Sequence, residues 1–240
     1  MNGTLYLIPS PLGDSGLDAI LPPATLDLIR RLDTFVVEHP KTARAFLKQV
    51  GTTLPLQQLT LLELNEHTQD KDLESLLAPL LAGKDVGIIS EAGAPAVADP
   101  GASLARLAHA RGIRVVPMVG PSAILMALMA SGLNGQRFTF HGYLPVDQVA
   151  RAKKLKMLET ASSSRDETQI FIETPYRNQK LLTAIIESCD AGTMLCIARD
   201  ITLPSECIET KLLSDWKKSA TELDRQPAVF LIYSPATSRR

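Results

Sequence analysis

The chain reads as an α/β protein of two domains, with a parallel-type sheet in the first and a mixed sheet in the second, and three features of its 240 residues predict this. From residue 4 to residue 118, short aliphatic runs alternate with helical repeats, the rhythm of parallel strands joined by crossover helices. Beyond Gly120 the apolar runs share fewer helices between them, which suits a mixed sheet. Three strands of the first half run into loops built largely from Gly, Ala, Pro and Ser rather than into charged turns.

Taken in order, Thr4–Ile8 reads as a strand, Leu26–Leu32 as a helix, Thr34–Val37 as a second strand and Thr42–Val50 as a helix. Leu73, Leu76, Leu77, Leu80 and Leu81 recur at helical spacing and predict one helix over Asp72–Ala82, closed by Gly83. Val86–Ile89 is a strand, Ser103–Arg111 a helix ended by Gly112, and Arg114–Met118 a strand. Ser122 is placed to cap a helix from Ala123 to Ser131. Strands follow at Phe138–Tyr143, Gln169–Ile172, Met194–Ala198, Ser205–Leu212 and Ala228–Tyr233, with a helix at Gln179–Ser188. Ser162-Ser163-Ser164 reads as a surface loop. The stiff Pro117–Gly120 segment sets the boundary, giving domains 1–117 and 118–240.

Composition narrows the function. With 25 basic and 26 acidic residues the net charge is -1, so nothing in the balance advertises nucleic acid or an anionic membrane. Cys189, Cys196 and Cys207 are odd in number and form no Cys-x-x-Cys pair, which fits a reducing compartment. His39, His67, His109 and His141 are scattered without metal-ligand spacing, so no metal is expected. No basic residue precedes Arg30, and the longest apolar run, Ala123–Ala130, is far below the ~20 residues that span a bilayer. A soluble cytoplasmic protein is expected.

The chemistry should lie where the strands end, because ligands of open α/β sheets bind at the carboxyl ends of strands. The first strand runs into Pro9-Ser10-Pro11-Leu12-Gly13-Asp14. The Val86 strand runs into a long loop from Ser90 to Gly101 that holds only Gly, Ala, Pro and Val between Glu91 and Asp99. The Arg114 strand runs into Val119-Gly120-Pro121-Ser122-Ala123. Small residues let a backbone approach a ligand, and prolines set the loop shape. No Gly-x-Gly-x-x-Gly is present, so a Rossmann dehydrogenase is poorly supported; the phosphate-loop pattern is absent, which excludes that NTPase class, and there is no nucleophile elbow.

These loops carry a specific resemblance. Gly3-Thr4-Leu5-Tyr6-Leu7, Ile89 to Pro95, Asp99-Pro100-Gly101, Gly120-Pro121-Ser122-Ala123, Gly142-Tyr143-Leu144-Pro145, Glu173 to Arg177 and Ala198 to Thr202 occur in the order found in the tetrapyrrole (corrin/porphyrin) methylase superfamily. The chain is most similar to the branch holding the small-subunit rRNA cytidine 2′-O-methyltransferases. Glu38-His39-Pro40-Lys41 stands where that branch usually has Glu-Asp-Thr-Arg, and Pro175-Tyr176-Arg177 where it has Pro-His-Arg. The resemblance implies two α/β domains with an S-adenosylmethionine cleft between them, usually as a homodimer. It implies that Leu12, Ala92, Gly93, Ala94, Val97, Ser122, Ala123, Pro227 and Ala228 line the methyl-donor site. It implies methyl transfer to rRNA, with a tetrapyrrole-precursor or other small-molecule methylase, or an idle cofactor-binding protein, as the alternatives.

Other residues are weighed on their own chemistry. Glu38, His39 and Lys41 follow a strand and are candidate catalytic groups, since a ribose hydroxyl must lose a proton. Arg44 and Arg177 are candidate substrate contacts. Arg151 and Lys154 share a helical face within the one basic cluster and would suit phosphate. Leu125, Met126, Leu128 and Met129 read as core or dimer interface, and Trp216 is given no role.

Overall fold

The computed structural model describes every residue except 66, 67, 69, 220, 224 and 236–240, so His67 lies outside the described residues. The chain divides into two compact units, Met1–Ser122 and Ala123–Arg240.

The first unit is built on five strands, β1 (Thr4–Ile8), β2 (Thr34–Val37), β3 (Thr60–Glu63), β4 (Val86–Ile89) and β5 (Arg114–Pro117). All neighbours are parallel, in the order β3-β2-β4-β1-β5. Alternation of side chains across the sheet makes two cores. Ile8, Phe35, Val37 and Ile89 point to one face, against α1 (Leu17–Ile20), α2 (Pro23–Arg31) and α3 (Pro40–Val50). Leu5, Val36, Val86 and Ile88 point to the other, against α4 (Asp70–Leu76), α5 (Ala78–Leu81) and α6 (Gly101–Ala110). The central strands β2 and β4 are buried throughout, which is why they read as unbroken apolar runs. Each such Leu, Ile, Val or Phe contributes roughly 1.5–3 kcal/mol on burial.

The helix expected over Asp72–Ala82 is two helices, α4 and α5, separated at Leu77. Pro79 explains the break, because it has no N–H to give to the turn before it and its ring crowds that turn. Strand β3 was not anticipated. It lies at the sheet edge, where Leu61 and Leu62 are only half-buried against the two cores.

The second unit is a mixed sheet of β6 (Phe138–Tyr143), β7 (Thr168–Ile172), β8 (Met194–Arg199), β9 (Cys207–Leu212) and β10 (Ala228–Tyr233), in the order β6-β7-β10-β8-β9. β6 and β7 are parallel and the other pairs antiparallel. α8 (Gln148–Arg165), α9 (Asn178–Ser188) and α10 (Leu213–Trp216) supply one core with Phe171, Ile197 and Phe230. α7 (Ala123–Ser131) packs against β8, β9 and β10. Thr210 Oγ1 donates to the Ser131 carbonyl at 2.7 Å, tying β9 to the end of α7.

Two further readings change. The serine run is not a surface loop: Ser162–Ser164 form the last turns of α8, and Ser162 is buried. Ser163 and Ser164 donate back to the carbonyls of Thr160 and Ala161, so their hydroxyls are satisfied within the helix. Trp216 is a core residue, 2% exposed, whose indole N–H donates to the Leu195 carbonyl at 2.8 Å. On α7, where core or interface is expected, Leu128 is buried in the core, while Leu125 is 50% and Met129 83% exposed, which contradicts neither alternative.

Among the described residues no helix is long and apolar enough to cross a membrane, and no three His, Cys, Asp or Glu side chains cluster as metal ligands. Burial, and then the nearby Glu159 carboxylate, push the Cys189 thiol up to about 12. Cys196 is also raised by burial, and Cys207 is half-buried. Only a thiolate alkylates readily. Iodoacetamide at pH 8 should therefore label Cys207 first in the native protein, and Cys189 and Cys196 only in denaturant, as peptide mass analysis would show.

Candidate active site

A parallel sheet gathers all its carboxyl ends on one edge. The chain leaves β1 toward the face of α2 and α3, and leaves β4 toward α6 on the opposite face. These two strands are neighbours, so the connections diverge between them, and a crevice at such a point takes ligands.

The loops after β1 and β4 are joined there. Ser10 and Gly93 exchange two backbone hydrogen bonds of 3.0 Å each. Ser10 Oγ donates to the Ser90 carbonyl at 2.8 Å, and Ser90 Oγ donates to the Gly93 carbonyl at 2.7 Å. Gly93 has a φ of 73°, which disfavours any residue with a Cβ. A Cβ there would also stand 3.1 Å from Leu12 Cδ2 and 3.6 Å from the Pro121 carbonyl oxygen. At Gly120 a Cβ would meet Pro9 Cβ at 2.6 Å, so the loop after β5 is pressed onto the loop after β1. Leu12, Gly93, Pro121 and Ser122 thus meet at one point.

The long loop after β4 is strained. Ala96 and Ala98 take φ values of 65° and 56°, at a cost of roughly 1–2 kcal/mol each. Asp99 holds the conformation, its Oδ1 accepting from the N–H of Ala96 at 3.1 Å and of Gly101 at 2.6 Å. Ser10, Asp99 and Gly120 stand in the loops and motifs read from sequence but not among the candidate site residues. Asp99 had a signal, because an aspartate just ahead of Pro100-Gly101 and a helical run is capping chemistry. Val97 and Val119 are 47% and 71% exposed on these loops, apolar surface left open beside the crevice. Ala92 is exposed, Leu12, Ala94 and Ser122 are half-buried, and Ala123 is a half-buried residue opening α7.

A hollow of about 440 Å³ opens at the same edge. Its walls include Leu12, Asp14, Glu91 and Ala92 from the two loops, and Thr42, Phe46 and Gln49 from α3. Glu38 and His39 follow β2 on this edge. Glu38 is half-buried and borders the Asp99–Gly101 turn, while His39 is exposed at the start of α3. Lys41 and Arg44 are exposed on α3 outside the hollow.

In the second unit, β8 ends where β9 and β10 begin. Asp200 and Thr202 take φ values of 50° and 74° in the turn that follows β8. Asp200 Oδ2 accepts from Ser205 Oγ at 2.9 Å and from Gln226 Nε2 at 2.8 Å, and its N–H donates to the Pro227 carbonyl at 3.1 Å. Asn178 Nδ2 donates to the Gln226 carbonyl at 2.7 Å. Exposed Pro227 and buried Ala228 are therefore held in place from two sides.

The basic candidates of this unit are differently placed. Arg177 donates Nε and Nη2 to Glu173 Oε1 at 2.9 Å and 2.7 Å, against a carboxylate 1% exposed that also accepts from the Thr174 N–H. Arg151 is buried and donates to the Val146 carbonyl at 3.2 Å, so it does not share an exposed face with half-buried Lys154. Burial, reinforced by the charge of Lys154, holds His141 below the ordinary histidine range, although its bond to Gln169 opposes this.

A family model described as Tetrapyrrole (Corrin/Porphyrin) Methylases matches residues 4–216. A "Ribosomal RNA small subunit methyltransferase I" of Xylella fastidiosa (strain Temecula1) is 34% identical over 200 residues, 83% of this chain and 69% of that protein. Its namesake from Escherichia coli O157:H7 is 32% identical over 206 residues, 86% of this chain and 68% of that protein. Among solved structures, the methyltransferase CobJ aligns with a TM-score of 0.64 at 21% identity, covering 99% of this chain and 97% of that one. A uroporphyrin-III-C-methyltransferase from Thermus thermophilus aligns at 0.57 and 18% identity, covering 97% and 93%. These two likenesses show the fold.

Gly93 and Gly132 share a left-handed φ, but nothing lies within 4 Å of a Cβ placed at Gly132. Gly93→Ala should therefore destabilise more than Gly132→Ala, which carries the backbone strain alone. Urea denaturation of the two variants measures the difference.

Proposed function

The chain belongs to the Tetrapyrrole (Corrin/Porphyrin) Methylases, and from that premise we propose that it transfers the methyl group of S-adenosylmethionine to small-subunit ribosomal RNA, at a ribose 2′-hydroxyl. The observation that carries the donor site is the Ser10–Gly93 pairing, which gathers small-residue loops around a left-handed backbone position that disfavours a side chain. Support for the acceptor is the name its curated relatives carry.

Leu12, Ala92, Gly93, Ala94, Val97 and Ser122 hold the donor in this reading. Ala123, Pro227 and Ala228 join them through the family likeness alone. When bound, S-adenosylmethionine supplies a methyl group on a sulfonium, open to in-line attack. The protein's share is proximity and orientation, with no covalent intermediate on the chain. The strained Ala96–Asp99 turn keeps the loop in shape before the ligand arrives. Glu38 or His39 takes the proton from the acceptor hydroxyl, both being on the carboxyl edge that carries the donor loops. The same reading makes the protein a cytoplasmic homodimer, for which exposed Leu125 and Met129 on α7 offer an apolar surface.

The test is calorimetric titration with S-adenosylhomocysteine, followed by transfer of labelled methyl from S-adenosylmethionine to unmodified 30S subunits. Ligand at 100 times its Kd should add about 2.7 kcal/mol of stability. Gly93→Val should abolish that gain. Glu38→Gln should leave ligand affinity unchanged and lower the transfer rate by roughly 10²-fold if Glu38 is the base. Tight cofactor binding with transfer to a porphyrinoid and none to RNA would favour the small-molecule alternative.

A further inference from the structure

We propose that the hollow beside the donor loops is the pocket of the acceptor nucleoside, and that Lys41, Arg44 and Lys48 hold the phosphodiester chain on either side of it. The inference rests on the ribosomal RNA reading and goes beyond it in assigning the site. At about 440 Å³ the hollow falls in the range of small-molecule sites. Its floor is apolar, formed by Ala43, Phe46 and Ile89, which are 4%, 8% and 4% exposed. Such a floor accepts the flat face of a base. Its rim carries Asp14, Thr42, Gln49 and Glu91, and no lysine or arginine lines it among the described residues. Two carboxylates without a cation repel phosphate. They and the Gln49 amide accept hydrogen bonds, which suits the hydroxyls and amines of an uncharged nucleoside.

The phosphates need a different surface, and α3 provides it one residue away. Thr42, Ala45 and Gln49 recur at the spacing of one helical face and line the hollow. Lys41, Arg44 and Lys48 form the adjacent stripe at the same spacing, all exposed and none in an ion pair among the described residues. The helix therefore sets a cationic rail beside a slot that holds no cation. A single strand can lie along the rail while one nucleoside turns out of the stack into the slot. Leu12 and Ala92 belong both to the hollow and to the proposed donor loops, so that nucleoside would lie next to the methyl group.

Filter binding of unmodified small-subunit rRNA transcript across a salt series, with S-adenosylhomocysteine present, tests this. The pair Thr42→Val and Gln49→Leu should weaken RNA binding about tenfold and leave the salt slope unchanged. Arg44→Gln and Lys48→Gln should each lower the slope by about 0.7. None of these should alter S-adenosylhomocysteine affinity, titrated separately, or the melting temperature. Loss of S-adenosylhomocysteine binding in the Thr42/Gln49 variant would assign the hollow to the donor and overturn the proposal. So would wild-type RNA affinity in that variant. Wild-type protein that binds S-adenosylhomocysteine but no RNA would overturn it too, leaving the methyl-donor site standing. Wild-type protein that binds no S-adenosylhomocysteine would be the failure of the donor reading itself.

Discussion

The pairing of Ser10 with Gly93 is the constraint on which the first unit's functional edge depends. Loops at the end of a parallel sheet lose the ladder that satisfied their backbone, and each N–H and C=O then needs a new partner. Here two loops that depart to opposite faces satisfy one another at the point of divergence. The serine hydroxyls at 10 and 90 complete the knot from inside. Replace the left-handed glycine and the new side chain crowds Leu12 at the point where the two loops meet.

Strain follows the same logic in both units. Ala96, Ala98, Asp200 and Thr202 hold left-handed backbone that costs free energy wherever it occurs. Carboxylates support both: Asp99 in the first unit, and in the second Asp200, which accepts from Ser205 and Gln226, with Glu206, which accepts from the Thr202 N–H. A carboxylate has several acceptor positions and no donor, so it can hold two or three loop donors at once. The stiff sheets beneath supply the burial that offsets this cost, through cores on both faces of the parallel sheet and beneath α8 and α9.

Charge is distributed with equal economy. Arg177 and Arg151, which look alike in sequence to Lys41 and Arg44, are committed to internal partners, Glu173 and the Val146 carbonyl. The cations that stay in solvent beside the site are on α3. A net charge near zero thus conceals a local basic stripe set against an acidic-rimmed hollow.

Periodicity alone marks most elements, because burial on two faces of a strand or one face of a helix leaves a repeat that needs no partner to be seen. β2, β4, β10 and the one-sided helix α3 are legible in this way, and the small-residue loops after the parallel strands are legible from composition. Elements without such a repeat are not legible: β3 is a four-residue edge strand with only half-buried leucines, and α8 carries serines and charges on a long face. Family motifs in the sequence point to a methyltransferase, since they reside in short local stretches of Gly, Ala and Pro. What tertiary structure alone decides is which side chains meet. Ser10 lies 80 residues from Ser90, and no local pattern links them. Likewise, the fate of each arginine depends on whether a buried carboxylate or carbonyl reaches it first, a contact set by packing between elements rather than by the order of residues along the chain.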